Sequence, residues 1–336
     1  MKNKILTITA MVVMIAMMIC NVGMFLTVIR IADKDMDSKP VANQEESTEE
    51  STEEKVTISE NDNTVISREE VLSYFDEDGE GTLGLLRDNF PEYIVYKEGN
   101  AYKFAKVNTS LAKNDWEPAN LKKDKNGEMS YKKNGKVISK KGIDVSKYQG
   151  DIDWEKVKGD GVEYAIIRIA YRGYGSGEIV TDEKAIENIK NATKAGVKVG
   201  VYFFSQAINE KEAREEVQYL IELIKDCKIE YPIVFDMEEI SGDTARIDKL
   251  TKEEKTDIAI AFCEEIKKEG YNPMIYANIK WFAGYYEMER IEKYDKWFAY
   301  YDDSLYFPYK IKMWQYTDSG KVDGIAGNVD LNIYVE

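Results

Sequence analysis

Histidine is absent from this chain of 336 residues. Without it, the chain cannot build a Ser-His-Asp or Cys-His nucleophile system or a His-based zinc site, so carboxylates remain the main groups for acid and base catalysis. Hydrolysis of a sugar bond is the reaction class that most often needs only carboxylates. The absence of histidine therefore favours carboxylate chemistry before any motif is considered.

Cysteine is scarce, with Cys20, Cys227 and Cys263 as the three examples. They form no C-x-x-C pair, and their number is odd, so they do not indicate a disulfide framework. We predict that all three are unpaired, with a Cys227 to Cys263 disulfide as the alternative.

Basic residues are fewer than acidic residues. The chain has 46 Lys and Arg and 62 Asp and Glu, which give it a formal net charge of −16. Such a field repels phosphate backbones and anionic lipid surfaces. We therefore predict no nucleic-acid partner.

A long apolar segment occupies residues 5–29, with Lys2 and Lys4 before it. It is long enough to cross a bilayer, and it lacks the convincing small-x-small site that a cleaved signal peptide requires. We predict that residues 1–33 are a short cytoplasmic tip and a retained transmembrane signal anchor. A mature protein that began after about residue 30 would contradict this prediction.

Two different regions follow the predicted anchor. Residues 34–66 are polar and acidic and have no apolar periodicity, so they predict a disordered linker. Residues 67–137 combine a helix-like start with short aromatic alternations, which predicts a small α+β module or spacer.

Residues 138–336 alternate strand-like and helix-like segments, the pattern of parallel βα units. Asn209 with Glu212 and Thr251 with Glu254 are candidate helix N-caps, and Gly196 is a candidate C-terminal glycine. The later connections are less helical, so we predict an irregular barrel in the last third. The predicted strands are 164–170, 197–204, 233–236, 273–276, 296–300 and 310–315, and the predicted helices are 183–195, 210–225 and 252–269.

Four acidic residues hold similar places in this scheme. Asp236 and Glu238 follow the apolar run 233–235 and project to the same side of a strand, while Glu239 should face away. Asp144 and Asp330 lie near the first and last strands, which a closed barrel places side by side. We therefore expect closure to bring Asp144, Asp236, Glu238 and Asp330 together.

Eight motifs follow one another in order from about residue 140 onward. They are 142–154, Ile166-Ile167-Arg168, Gly200-Val201-Tyr202-Phe203-Phe204, Phe235-Asp236-Met237-Glu238, Ile275-Tyr276-Ala277-Asn278, Trp297-Phe298-Ala299-Tyr300-Tyr301, Met313-Trp314-Gln315-Tyr316 and Val329-Asp330-Leu331-Asn332. Together they resemble a glycoside hydrolase family 25 lysozyme. The resemblance implies an irregular (β/α)5(β)3 TIM-like barrel that cleaves the β-1,4 bond between N-acetylmuramic acid and N-acetylglucosamine in peptidoglycan, and it says nothing about residues 1–133.

The resemblance also implies roles for the four acids. Glu238 would be the general acid, with a pKa raised by burial. Asp236 would be its charged partner, which either stabilises an oxocarbenium-like transition state or orients the 2-acetamido group of the substrate as the nucleophile. Asp144 and Asp330 would be supporting acids that position the substrate and tune the pair.

Aromatic residues near the predicted strand ends are candidates for stacking on sugar faces. We expect Tyr202, Tyr276, Trp297 and Trp314 to line the substrate site. Arg168, inside a predicted strand, requires a buried partner, and a structural ion pair and a substrate contact are both open. No metal or cofactor is predicted.

Two other classes of protein share part of this pattern. A chitinase-like hydrolase also carries Asp-x-Glu on a barrel strand, but its signature places Asp-Gly where this chain has Tyr231-Pro232 and a further Asp at Val234. A non-catalytic wall-binding module on a decayed barrel has no need for the four acids that this chain retains. We therefore predict a single-pass cell-membrane enzyme, monomeric in its catalytic domain, that faces the cell wall and binds peptidoglycan glycan strands.

Overall fold

A computed structural model describes residues 81–335. The predicted anchor at 5–29, the linker at 34–66 and the start of the predicted module lie outside this range. Within the described range, no helix combines the length and apolar character needed to span a bilayer.

From residue 81 to the start of the barrel, the chain forms one α-helix, one 3-10 turn at Pro118–Asn120 and five short strands. Its strands form an antiparallel hairpin, β1 with β2, and a separate antiparallel sheet of β3, β4 and β5. The elements are α1 (Gly81–Asn89), β1 (Tyr93–Glu98), β2 (Ala101–Lys106), β3 (Leu121–Lys123), β4 (Met129–Lys133) and β5 (Lys136–Val137).

Eight of the next nine strands close into a barrel. Strand β6 pairs with β7 on one side and with β14 on the other, and this double pairing closes the sheet and confirms the predicted barrel. Strand β8 is an antiparallel addition to β7. The strands are β6 (Lys140–Val145), β7 (Tyr164–Arg172), β8 (Ile179–Thr181), β9 (Lys198–Phe204), β10 (Ile233–Asp236), β11 (Pro273–Asn278), β12 (Asp295–Ala299), β13 (Met313–Gly320) and β14 (Val329–Tyr334).

Helical connections follow only the first five barrel strands. Strands β6, β7, β9, β10, β11, β12 and β13 run parallel, whereas β14 returns antiparallel to both of its neighbours. This arrangement matches the (β/α)5(β)3 architecture that the resemblance implied. The helices are α2 (Trp154–Gly159), α3 (Ala185–Ala195), α4 (Glu210–Ile224), α5 (Lys252–Lys268) and, after a π-helical turn at Trp281–Tyr285, α6 (Met288–Ile291).

The predicted helix caps are confirmed. The Asn209 side chain accepts the Glu212 amide at 3.0 Å, and Thr251 with Glu254 forms a reciprocal capping box. Gly196 ends α3 with a φ of 81°, a left-handed conformation that favours glycine. These local signals place the surface helices correctly.

The prediction for strand β13 is displaced from the observed Met313–Gly320. The Lys310 amide bonds instead to the Ala112 carbonyl at 2.9 Å, whereas the Lys312 amide bonds to the Lys296 carbonyl of β12 at 3.0 Å, so pairing with the barrel begins only at about residue 312. At its other end β13 extends into a hairpin with β14, through a bulged register. No local sequence pattern predicts the contact with Ala112 or the bulge.

At Gly142 the barrel interior leaves no space for a side chain. It is paired in register with Tyr164, whose ring is stacked on Tyr231 with centroids 4.5 Å apart. A Cβ on Gly142 would lie 2.1 Å from the Tyr164 ring. Only a residue without a side chain therefore fits here.

We predict that Gly142→Ala destabilises the protein by about 1 to 3 kcal/mol, because the stacked ring has no free direction in which to move. Thermal or denaturant unfolding measures the change. Gly159→Ala is the matched control, since a Cβ at Gly159 meets nothing within 4 Å. Equal stability of the two variants would contradict the packing argument.

The preceding segment packs on the barrel beside the carboxyl ends of its strands. The Arg87 guanidinium lies 3.9 Å from the Tyr306 ring centroid and donates to the Tyr300 hydroxyl at 2.6 Å. On the other side, the Tyr285 hydroxyl donates to Glu98 at 2.6 Å. Since Tyr285 and Tyr300 follow β11 and β12, the segment borders the rim where the four predicted acids lie.

Candidate active site

Asp236 and Glu238 form a hydrogen-bonded carboxyl pair at the end of β10. Asp236 is the last residue of the strand and is 5% exposed. Glu238 is half-buried and lines an open cavity of about 430 Å³ together with Asn278 and Trp281. The pair therefore joins an interior acid to one that faces the opening.

Burial is the main cause that raises the pKa of both carboxyls. It brings the pKa of Glu238 to about 7, although the hydrogen bond from Asp236 opposes the rise. Burial, then the charges of Glu238 and Asp144, raise the pKa of Asp236 well above its ordinary value, and the hydrogen bond to Glu238 raises it further. A hydrogen bond between two carboxyls requires a proton on one of them, and these directions place that proton on Asp236 with Glu238 as the acceptor, the reverse of the predicted roles before reaction.

Asp144 and Asp330 form a second carboxyl pair across the seam that closes the barrel. They are register partners on β6 and β14, and their side chains are hydrogen-bonded. The Asp144 carboxylate also accepts the amide groups of Asn332 at 2.7 Å and Gln315 at 2.9 Å. Because β14 runs antiparallel, Asp330 reaches the carboxyl rim from the start of its strand and not from the end.

In the pair formed by Asp144 and Asp330, one carboxyl is neutral and the other is ionised. Burial, followed by the charge of Asp144, raises the pKa of Asp330 to about 9, so Asp330 is protonated near pH 7. Burial raises the pKa of Asp144 as well, while the hydrogen bonds from Asn332, Gln315 and Asp330 oppose that rise. Three donors around one carboxyl favour its ionised form, which makes Asp144 the charged member.

The structure brings all four predicted acids together. Asp144 lies close enough to Asp236, and Asp330 close enough to Glu238, for each to raise the pKa of its neighbour when ionised. Closure of the sheet thus unites residues 186 positions apart in the chain. Glu239, predicted to face away from them, is exposed and pairs with Lys280 at 2.6 Å.

A layer of amides behind Asp144 was missed by the sequence analysis. The Gln315 carbonyl oxygen accepts the hydroxyls of Tyr276 at 2.8 Å and Tyr301 at 3.0 Å. The Asn332 carbonyl oxygen accepts the Trp297 indole at 2.8 Å. Both amides lie in motifs that carried the family resemblance, but nothing in a single sequence gives their orientation.

The four predicted lining aromatics are two tyrosines, Tyr202 and Tyr276, and two tryptophans, Trp297 and Trp314, and the tryptophans are the more deeply buried pair. Tyr202 lies within the field of Asp144 and Asp236, and its pKa is raised well above the ordinary value, chiefly by burial. Tyr276 is 8% exposed, while Trp297 and Trp314 are 2% and 0% exposed. Trp297 orients Asn332 and Trp314 donates to the Tyr300 carbonyl at 2.7 Å, so we assign both tryptophans to packing and orientation.

Exposed aromatics surround the site instead. Tyr148 is 77% exposed, and its ring lies 5.0 Å from the Arg168 guanidinium. Arg168 also pairs with the buried Asp182 at 2.8 Å, which is the structural ion pair of the two alternatives considered. Tyr301, 53% exposed, lies within the field of Asp144, Asp330 and Glu238. Both rings offer open faces that the two tryptophans lack.

Cys227 and Cys263 are unpaired, as predicted, and Cys20 lies outside the described residues. Within residues 81–335, no group of three His, Cys, Asp or Glu side chains has an arrangement that could hold a metal ion.

Comparisons with known proteins agree with this geometry. The uncharacterized protein YegX of Escherichia coli K12 is 27% identical over 210 residues, which are 57% of this chain and 68% of that protein. The autolytic lysozyme of Clostridium acetobutylicum is 25% identical over 202 residues, 58% of this chain and 56% of the relative. The chain therefore spans little more than half of that lysozyme.

A similar solved structure is that of the modular autolysin LytC from Streptococcus pneumoniae in complex with a synthetic peptidoglycan ligand. Its TM-score is 0.53 at 26% identity, over 72% of this chain and 66% of LytC. The model of glycosyl hydrolases family 25 matches residues 143–325, more than half of the chain and inclusive of Asp144, Asp236 and Glu238. The chain belongs to glycosyl hydrolases family 25 and is a glycosidase.

Proposed function

We propose that this protein hydrolyses peptidoglycan by cleaving the β-1,4 bond between N-acetylmuramic acid and N-acetylglucosamine. The observation that carries the proposal is the Asp236 and Glu238 pair, in which an acid with a pKa of about 7 faces an open cavity. The names of the relatives, an autolytic lysozyme and an autolysin bound to a peptidoglycan ligand, support the choice of substrate.

In the proposed mechanism, the proton that the pair shares moves from Asp236 to Glu238, and Glu238 gives it to the oxygen of the leaving sugar as the bond to the anomeric carbon breaks. Both members of the pair are then ionised, which is unfavourable for two adjacent buried carboxylates alone. The positive charge that develops at the anomeric carbon compensates them, so the pair stabilises the transition state more than the ground state.

Asp236 acts on that positive charge either directly or by orienting the 2-acetamido group as the nucleophile. Glu238 then takes a proton from water, whose oxygen forms the new bond to the anomeric carbon. Asp144 stays ionised and keeps the site negative, while protonated Asp330 donates to it and adds no second charge. The four carboxyls thus carry two protons and two charges before reaction.

This assignment predicts a pH dependence. Glu238 must be protonated to act as the acid, and its pKa is raised to about 7, so kcat/KM should fall about tenfold per pH unit on the alkaline side of that value. A pH–rate profile on soluble glycan fragments measures this alkaline decline in kcat/KM, with thermal unfolding at each pH as the control for loss of structure. A decline whose midpoint lay below pH 5 would contradict the assignment of Glu238 as the acid.

Digestion of purified peptidoglycan by the full-length chain tests the bond that is cleaved. We expect muramic acid at the new reducing ends in mass spectra of the released fragments. Glucosamine at those ends would retain the hydrolase and overturn the bond. Binding to the wall with no release of fragments would favour the alternative, a wall-binding module on a decayed barrel.

We further propose that residues 5–29 anchor the protein in the cell membrane and that the acidic linker at 34–66 lets a monomeric barrel reach the wall on the outer side. The apolar length of 5–29 and the charge repulsion within 34–66 support this arrangement. Amino-terminal sequencing of the membrane-bound protein tests it, because a start beyond about residue 30 would exclude a retained anchor.

A further inference from the structure

Glu238 lies beyond the strand that positions Asp236. Strand β10 ends at Asp236, which is paired in register with Phe204 of β9 and with Tyr276 of β11. Glu238 comes two residues later, after the last register pair of either ladder. The ladders therefore fix the backbone of Asp236 and leave that of Glu238 to other contacts.

Two consecutive residues after β9 hold the backbones of both acids. The Ser205 amide donates to the Asp236 carbonyl at 2.7 Å, which extends the β9 to β10 pairing by one bond. The Gln206 side-chain amide then donates to the Glu238 carbonyl at 2.9 Å. Ser205 and Gln206 are both 0% exposed. A buried side chain thus takes the place of ladder pairing at the residue that faces the cavity.

Ser205 is itself fixed by a buried ion pair. Its hydroxyl donates to Glu216 of α4 at 2.7 Å and accepts the Ala207 amide at 3.2 Å. Glu216 is 0% exposed and also accepts Nε of Arg172, the last residue of β7, at 2.7 Å. A buried pair of this kind resists displacement, because movement of either partner leaves a charge unpaired. Ser205 is therefore held firmly between β7 and α4.

A second arginine fixes the backbone of Gln206. Arg246 Nη1 donates to the Gln206 carbonyl at 3.2 Å. The same guanidinium forms a bidentate pair with Glu212, at 2.8 Å and 3.0 Å, and Glu212 also accepts the Ile208 amide at 3.1 Å. Bidentate pairs combine strength with a fixed direction. The loop that carries Gln206 is therefore anchored on both sides of this residue.

The other atom of the Gln206 amide shows that stability alone does not explain this side chain. Its Oε1 is buried and has no hydrogen-bond partner among residues 81–335. A reversed amide would set that oxygen against the Glu238 carbonyl, so the NH2 group must face Glu238. A buried oxygen without a partner is costly, and an apolar side chain of the same length would avoid that cost. What the amide supplies in return is a fixed backbone at Glu238.

We propose that Gln206 is a positioning residue, which holds the Glu238 backbone so that its carboxyl stays aligned with the oxygen of the leaving sugar. The inference rests on the proposed function, since it takes Glu238 as the acid. Proton transfer requires the two oxygens to lie within hydrogen-bond reach, and a small misplacement of a catalytic group lowers the rate strongly. Loss of the Gln206 contact should therefore slow bond cleavage that needs a proton and spare cleavage that does not.

Full-length Gln206→Met tests this inference, because methionine has a similar length and no donor. The measurement is kcat/KM for two substrates, a glycan fragment whose leaving group is a sugar and a dinitrophenyl glycoside of the same glycan, whose leaving group departs without a proton. We expect Gln206→Met to lower kcat/KM about tenfold for the glycan and by less than about twofold for the dinitrophenyl glycoside. Glu238→Gln should show the same selectivity with a larger loss for the glycan, about 10² to 10⁴.

Gln218→Met is the matched control. Gln218 is exposed on α4 and donates to Glu265 at 2.9 Å, so its replacement should leave both values of kcat/KM unchanged. Thermal unfolding verifies that the variants fold. Gln206→Asn is a second variant that keeps a polar amide but is one methylene shorter, so it should lose the contact with Glu238 and show the same selective loss.

Two results for Gln206 would overturn the proposal. Equal losses of kcat/KM for both substrates would reduce Gln206 to a general structural role, and an unchanged kcat/KM for the glycan would show that its contact with Glu238 does not matter. The Glu238→Gln variant separates these results from a failure of the proposed function. If that variant lost both substrates equally, Glu238 would not be the acid, and the inference would fall with the mechanism.

Discussion

Replacement of Glu238 by glutamine is expected to lower kcat for peptidoglycan hydrolysis by about 10² to 10⁴, the usual contribution of a positioned general acid. Glutamine keeps the shape and can hydrogen-bond to Asp236, but it has no proton to give to the leaving oxygen. Because binding contacts are retained, KM should change far less than kcat. Release of reducing ends from purified walls, followed over time, measures both constants.

The fold of this variant is expected to be at least as stable as that of the wild type at pH 7. A carboxyl whose pKa rises to about 7 on folding is more easily ionised in the unfolded chain, so it lowers stability as the pH rises above its unfolded value. Glutamine removes that penalty. Glu239→Gln is the matched control, since Glu239 is exposed and pairs with Lys280. Near-normal turnover by Glu238→Gln would refute its assignment as the acid.

Asp144→Asn and Asp330→Asn should differ sharply although the two residues are register partners. Asp144 is the charged acceptor of three hydrogen bonds, so an amide there loses the charge and sets an NH2 group against donors. We expect kcat to fall by about 10²-fold, as removal of a preorganised electrostatic group commonly causes. Asp330, with a pKa of about 9, is already neutral at pH 7, and asparagine keeps a donor toward Asp144. A loss of only a few-fold is expected.

Steady-state kinetics of both variants on the same wall preparation test this asymmetry. Thermal unfolding separates a catalytic loss from a folding defect. Equal losses in the two variants would show that the pair acts as two charges or as one structural unit, and that the proton is not held on Asp330 as we describe.

Much of this site follows from the sequence because two simple rules act together. Alternation along β10 gives Asp236 and Glu238 a common side, and closure of a barrel brings Asp144 next to Asp330. Helix caps such as Asn209 depend on a few neighbouring residues, so they are predictable too. These predictions succeed because strand alternation, barrel closure and helix capping each follow a regular geometry.

The remaining features depend on tertiary contacts that local patterns do not encode. Trp297 and Trp314 were expected to meet substrate because they lie near strand ends, but neighbouring strands and loops cover both rings. The roles of Gln315 and Asn332 arise from which way each amide points, which is set by Tyr276 and Trp297.

Digestion of purified peptidoglycan in heavy-oxygen water, by the wild type beside Glu238→Gln, tests whether these carboxylates hydrolyse the proposed bond. We expect each new muramic acid reducing end made by the wild type to carry one heavy oxygen, since water supplies the oxygen of the new bond, and we expect the variant to release almost none. Unlabelled anhydro ends, label on glucosamine, or full activity in the variant would contradict carboxylate-catalysed hydrolysis of the proposed bond.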